Sequence, residues 1–352
     1  MRKQITAGGV KIGGGAPVTI QSMTNTMTSD IRETSAQINR LAGLGCEIAR
    51  VAVPDMDSAD AIGEIKKLIS IPLVADIHFD YKLALRAAEA GADKIRINPG
   101  NIGGEGNVRA VAGICAKKGI PIRIGVNSGS VSDGILKKHG GVTAEAMYES
   151  ALEHIGLLNR YDFDDICISA KASSVPLTVA AYRLLDERTA YPLHIGVTEA
   201  GTESAGIIKS SLGIGALLLD GIGDTVRVSL TAPPEREVET AVTILKSLGL
   251  RTGYDLISCP TCGRCRIDLI PIALEVERRL KASSELADRD IAVAVMGCAV
   301  NGPGEASRAD YGIAGGDQEG VVFSKGKICM KASMDRLVDE LFRIIESGEK
   351  SV

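Results

Sequence analysis

Two short segments near the end of the chain hold the residues with the most chemistry in them. The first is Ser258-Cys259-Pro260-Thr261-Cys262-Gly263-Arg264-Cys265, and the second is Met296-Gly297-Cys298-Ala299-Val300-Asn301-Gly302-Pro303-Gly304-Glu305. Two cysteines separated by two residues can grip one metal centre from a single tight turn. The second segment adds a thiol and a carboxylate on a Gly/Pro-rich loop that no regular helix can form. Zinc and an iron–sulfur cluster both fit this spacing. No histidine follows His194, and no second Cys-x-x-Cys pair lies away from Cys265, so the usual closing half of a zinc site is missing. A four-cysteine zinc site drawing in Cys265 or Cys329 stays open. The run Cys259-x-x-Cys262-x-x-Cys265 imitates the opening of a ferredoxin ligand run but lacks its closing Cys-Pro element. Cys46, Cys115, Cys167 and Cys329 read as small buried hydrophobes.

A second constellation lies upstream. Arg50, Arg96, Arg123, Lys171 and Arg227 each fall within or just after a short apolar run. A charge inside an otherwise apolar strand needs a partner. Arginine suits phosphate because its planar fork donates two parallel hydrogen bonds, so a diphosphate is the natural ligand. The bland alternative is internal ion pairing with Asp76, Asp220 or Glu199. Polar groups sit at the same run ends: Asp76-Ile77-His78, Asn98-Pro99-Gly100-Asn101, Asn127-Ser128-Gly129-Ser130, Thr198-Glu199-Ala200-Gly201 and Ser229. The Gly-containing backbone after Asn127 could offer N–H groups to an oxyanion. Glu199 in such a pocket could supply a proton, though a lone Glu at a strand end is more often a structural acceptor, and His78 shares that ambiguity. His139, His154 and His194 read as ordinary.

The elements that must position these groups recur from residue 16 to about 230. Candidate strands at 17–23, 47–53, 72–77, 94–98, 121–127, 165–171, 192–197 and 216–220 alternate with helical stretches at 34–44, 59–69, 82–90, 108–118, 143–160, 176–186 and 202–212. Such alternation predicts parallel strands with crossover helices. Eight units in this length fit a (β/α)8 TIM-type barrel, whose strand C-termini converge on one face. The alternative, an open doubly wound sheet, lacks its G-x-G-x-x-G turn. Pro233-Pro234 opens a last helix at 235–248. Residues 1–250 therefore read as the barrel and 249–253 as a linker. Residues 254–352 read as a smaller C-terminal α/β domain, with a helix at 271–281, strands at 291–297, 311–314 and 321–329, and a closing helix at 334–347.

Composition narrows the function class. Trp is absent, aromatics are 3% and the net charge is −4, which argues against nucleic-acid binding. No apolar run is long enough to span a membrane, and the N-terminal residues lack the apolar core of a signal peptide. Free cysteines then point to a reducing cytoplasm.

These motifs resemble the bacterial 4-hydroxy-3-methylbut-2-enyl diphosphate synthase family, iron–sulfur reductases late in the methylerythritol phosphate route to isoprenoids. The resemblance runs from Val18-Thr19-Ile20-Gln21-Ser22-Met23-Thr24-Asn25-Thr26 to Asn301-Gly302-Pro303-Gly304-Glu305-Ala306. It implies a [4Fe–4S] cluster on Cys259, Cys262, Cys298 and Glu305, with Cys265 a non-ligand. It implies substrate contacts from Arg50, Arg96, Asn98, Arg123, Asn127, Lys171, Arg227 and Ser229, with Thr198 and Glu199 near the reacting carbons. It also implies reduction of 2-C-methyl-D-erythritol 2,4-cyclodiphosphate, a flavodoxin or ferredoxin donor, and a head-to-tail homodimer in which the barrel of one subunit faces the cluster domain of the other. Two other classes compete: a non-redox phosphate-binding barrel stapled by zinc, and a barrel transferring a methyl or acyl group from a phosphate-bearing cofactor.

Overall fold

The computed structural model describes residues 1–287, 289–298, 308–316 and 319–347. It divides into two compact units, Met1–Leu248 and Gly249–Val352.

The first unit opens with an antiparallel hairpin, β1 (Gln4–Ala7) and β2 (Val10–Gly13), which the sequence reading missed. The barrel strands follow: β3 (Thr19–Met23), β4 (Ile48–Ala52), β5 (Leu73–Asp76), β6 (Lys94–Ile97), β7 (Ile122–Asn127), β8 (Ile166–Lys171), β9 (His194–Ile195) and β10 (Thr225–Val226). All pair in parallel in the order β8-β7-β6-β5-β4-β3-β10-β9. A bridge between Ile168 and Leu193 brings β8 beside β9 and closes the ring. The helices are α1 (Ile31–Gly43), α2 (Met56–Leu68), α3 (Tyr81–Ala90), α4 (Glu105–Lys118), α5 (Asp133–His139), α6 (Ala144–Asn159), α7 (Val175–Arg188), α8 (Glu203–Leu219) and α9 (Pro234–Ser247). Asp30, Asp55, Asp80, Thr143 and Ser174 cap five of them, each side chain accepting a backbone N–H two or three residues on. Such caps satisfy donors that the first helical turn leaves open and fix where each helix leaves its loop.

The expected eighth strand at 216–220 is a correction. Those residues finish α8, whose buried Gly206, Ser210, Gly213, Ile214 and Leu217 recur every three or four residues. The apolar run Ile214–Leu219 looks strand-like because the helix is apolar on several sides. The true eighth strand is the two-residue β10, so Arg227 and Ser229 follow it directly rather than lying beyond a previous strand.

Strand side chains alternate between two faces. One set, including Ile20, Val51, Ala75, Ile95, Ile97, Ile122, Ile124 and Ile168, joins the main apolar cluster. The other set points inward. At the base, Ile48, Val74 and Cys167 form a separate apolar cluster with Ile5, Ala7 and Ile12, so the hairpin plugs the barrel floor. Above the plug the inward face turns polar.

The second unit is a five-stranded mixed sheet in the order β11-β12-β13-β14-β15. Its strands are β11 (Asp255–Ser258), β12 (Ala292–Met296), β13 (Tyr311–Ala314), β14 (Glu319–Ser324) and β15 (Lys327–Ser333). The helices are α10 (Leu269–Ala282), α11 (Ser284–Ala287) and α12 (Leu337–Ser347). The core joins Val276 and Leu280 of α10, Val293 and Val295 of β12, and Leu337, Leu341 and Phe342 of α12. The sequence reading missed β11 and merged β14 and β15; Lys325 and Gly326, both at positive φ, turn the chain between them. No helix of the described residues is long and apolar enough to cross a membrane.

Candidate functional site

The strand C-termini of the barrel surround a cavity of about 180 Å³. Of the barrel residues expected there, Arg50, Asp76, His78, Arg96, Arg123, Asn127, Lys171, Thr198, Arg227 and Ser229 line it, and Ser169 joins them. Asn98 and Glu199 do not. Asn98 is buried, and its side chain accepts the Gly100 N–H at 3.1 Å, capping the short turn after β6. Glu199 is exposed, with its backbone in the left-handed region at φ 52°.

Five cations meet here in a largely dehydrated space. Arg96 donates to Asp76 at 2.9 Å, and its guanidinium lies 2.7 Å from His78 Nε2. Arg50 Nε lies 3.7 Å from the other Asp76 oxygen. Burial alone would raise the Asp76 carboxyl, but Arg50, His78, Arg96 and Arg123 outweigh it and hold the group well below the ordinary carboxylate range. Arg227 pairs at 3.3 Å with buried Glu237 of α9, which also accepts from Ser22 and from the Leu230 N–H. Those two carboxylates do not balance five cations. Burial, reinforced by the neighbouring cations, depresses Lys171 well below the usual lysine value and pushes Arg123 down to about 10. Arg96 Nε, Arg123 Nε and Nη2, and Arg227 Nε are buried with no hydrogen-bond partner among the described residues. Unmatched donors around a cavity fit an oxyanion ligand that would complete them.

Two glycines make the packing possible. A Cβ on Gly125 would lie 2.5 Å from Arg96 Nε, and one on Gly196 would lie 2.9 Å from Lys171 Nζ. Of the three carboxylates named as internal partners, Asp76 takes that role. Asp220 pairs with Arg183 at 2.8 Å, and Glu199 is exposed. At the head of the Gly-containing turn, the Asn127 N–H is taken by Ser130 Oγ at 2.9 Å. His139 pairs with Glu149, while His154 and His194 are buried.

Sequence reading missed Ser169, Lys94 and Glu237. Ser169 and Lys94 stand two residues before Lys171 and Arg96, so strand periodicity could have found them. Glu237 sits in the first turn of a helix, where no local signal marks an inward carboxylate.

In the second unit, β11 and β12 run parallel with Ser258 opposite Val295. The cysteines follow from those strand ends. Cys259 donates its backbone N–H to Val295 O at 3.3 Å, and its Sγ accepts the Gly297 N–H at 3.2 Å. Cys262 is exposed, and the Arg264 backbone N–H and side chain hold its thiol below the ordinary range. Cys265 behaves differently: its Sγ donates to Ile267 O at 3.2 Å, the role of a protonated thiol. Cys298 is half-buried directly after Gly297. Glu305 lies outside the described residues, and among the described residues no three acidic, histidine or cysteine side chains are gathered closely enough to hold a metal ion. Cys46, Cys115 and Cys167 are buried as expected; Cys329 is exposed on the outer strand β15, which corrects its reading as a core residue.

Comparison with known proteins covers both units. The GcpE TIM-barrel domain matches residues 2–242, and the GcpE protein C-terminal domain matches residues 255–347. A protein of Caldicellulosiruptor saccharolyticus named 4-hydroxy-3-methylbut-2-en-1-yl diphosphate synthase (flavodoxin) is 59% identical over 351 residues, covering 100% of each chain. One of the same name from Ruminiclostridium cellulolyticum is 57% identical over 344 residues, covering 97% of this chain and 96% of its own. Among solved structures, a type I 3-dehydroquinate dehydratase from Clostridium difficile matches with a TM-score of 0.52 at 13% identity, over 70% of this chain and 98% of that one. At that identity the likeness is one of fold alone.

Proposed function

The chain belongs to the GcpE family, and on that premise we propose that it acts as a flavodoxin-dependent 4-hydroxy-3-methylbut-2-enyl diphosphate synthase, an oxidoreductase of isoprenoid precursor biosynthesis. The substrate is 2-C-methyl-D-erythritol 2,4-cyclodiphosphate. Two electrons and two protons enter, a C–O bond to phosphate breaks, and a hydroxyl leaves as water. The observation that carries this reading is the cavity in which Arg50, Arg96, Arg123, Lys171 and Arg227 face two carboxylates among the described residues.

In this reading the five cations bind the diphosphate. Asp76 holds Arg50 and Arg96 in place, and Asn127 and Ser229 orient the ligand by hydrogen bonds. Asn98 acts through the turn that it caps. Thr198 and Glu199 flank the reacting carbons, and Glu199 delivers a proton from its exposed position. His78 meets Arg96 through its Nε2 at the cavity wall.

A [4Fe–4S] cluster on Cys259, Cys262, Cys298 and Glu305 would supply the electrons one at a time. The thiols fit that assignment. Cys259 is supported by a backbone N–H and Cys262 by Arg264, as thiolate ligands need, while Cys265 spends its proton on a carbonyl. The full-length relatives do not favour the zinc-stapled alternative.

Flavodoxin is the donor that the relatives' names support; ferredoxin is the alternative. The enzyme works as a homodimer, the barrel of one subunit facing the cluster domain of the other, in a reducing cytoplasm where its thiols persist. Counting iron, sulfide and zinc on anaerobically purified protein tests the cofactor assignment. About four irons per chain are expected; one zinc and no iron would overturn it.

A further inference from the structure

The alternation that turns cations into the barrel continues below the cavity. Lys94 precedes Arg96 by two residues on β6, so it faces the interior about 7 Å deeper. It is fully buried, and its Nζ has no hydrogen-bond partner among the described residues. The charged and titratable groups that act on it are Cys167 of β8, Arg123 of β7 and Arg50 of β4; His194 of β9 feels its charge from another side. None of these is a carboxylate. Thr19, Thr225 and His194, in register on neighbouring strands, are likewise buried with unpartnered polar atoms. A buried ammonium with no partner is strongly unfavourable. The Asp76 carboxylate on the neighbouring strand is already engaged by Arg50 and Arg96, so further negative charge has to come from an anion in the cavity above.

We propose that Lys94 is a deeper countercharge for the anion bound at the barrel mouth, touching no substrate atom and taking up a proton as that anion binds. The proposal rests on reading the cavity as an anion site. Burial pushes the Lys94 ammonium down to about 8 in the free protein, so it titrates just above neutrality. A polyanion one tier away favours the charged form and raises it again. Affinity is therefore greatest below that value and declines as pH rises through it, and binding near it draws a proton from solvent. Lys94 is a positioning residue of the field rather than a catalytic one.

The test is titration calorimetry with inorganic diphosphate on the wild-type protein, Lys94→Met and Thr225→Val. Each is run at pH 7 and pH 9, and at pH 8 in two buffers of different ionisation enthalpy. Diphosphate's own titration is common to all three proteins and cancels in the comparison. We expect Lys94→Met to bind on the order of tenfold more weakly at pH 7, to converge on wild type at pH 9, and to take up fewer protons at pH 8. Its unliganded melting temperature should stay equal or rise, because an uncompensated charge has gone. Thr225→Val, a change in the same tier without a charge, should keep the wild-type pH dependence. Equal affinity and equal proton uptake in Lys94→Met would overturn the proposal while leaving the anion site standing, as would a loss of the same size at both pH values. Failure of the wild-type protein to bind diphosphate would remove the anion reading and this inference together.

Discussion

The Arg96 guanidinium occupies the space that a side chain at Gly125 would need: a Cβ there would lie 2.5 Å from Nε and 2.6 Å from Nη2. Gly125→Ala must therefore displace a buried group that holds both Asp76 and His78. Losing a charge-assisted contact of this kind costs about 1.5–3 kcal/mol, or roughly ten- to a hundredfold in affinity. We expect KM for the cyclodiphosphate to rise by that factor with a much smaller loss of thermal stability. Steady-state kinetics alongside thermal melts will check it.

Asp76→Asn leaves Arg50 and Arg96 buried without their carboxylate, so it should lower stability by about 3 kcal/mol at neutral pH. The pH dependence has a definite sign. Neighbouring cations depress the folded-state value of Asp76, so its stabilisation is fully present above the unfolded carboxylate value and disappears as pH falls through the folded one. The gap between wild type and Asp76→Asn should be constant from pH 5 to 8 and close only in strong acid. Urea unfolding across that range measures it; a gap that closes near pH 6 would refute the assignment.

Glu199 adopts a left-handed backbone at φ 52°, a region that disfavours side chains. Glu199→Gly should therefore raise stability by about 1 kcal/mol, and both Glu199→Gly and Glu199→Gln should abolish turnover at unchanged iron content. Full activity in the glutamine variant would exclude Glu199 as proton donor.

Cys265 donates to Ile267 O, and a Cβ on Gly297 would lie 2.5 Å from its sulfur. Cys265→Ala should keep full iron and sulfide, whereas Cys259→Ala should lose them. Gly297→Ala should lower iron content, and adding Cys265→Ala, which makes room for the new methyl, should restore it. Elemental analysis of the four variants decides this.

Legibility followed periodicity. The first seven barrel strands lie in short apolar stretches between helical segments, and Arg50, Arg96, Arg123 and Lys171 stood out there as charges in apolar surroundings. The eighth failed because β10 is only Thr225–Val226, while the apolar end of α8 imitated a strand. The plugging hairpin went unnoticed because its two strands precede the β/α alternation that marked the others. Glu237, which neutralises Arg227, reaches the site from a helix, so only the tertiary fold brings it there. Chain order likewise could not separate Cys265 from its neighbours; the distinction lies in which atom each sulfur meets.

The most direct measurement is product formation by anaerobically purified protein given 2-C-methyl-D-erythritol 2,4-cyclodiphosphate and reduced flavodoxin. This account predicts 4-hydroxy-3-methylbut-2-enyl diphosphate, formed with two electrons consumed per molecule and lost in Cys259→Ala. Intact cyclodiphosphate after incubation with iron-replete protein and reduced flavodoxin would contradict it.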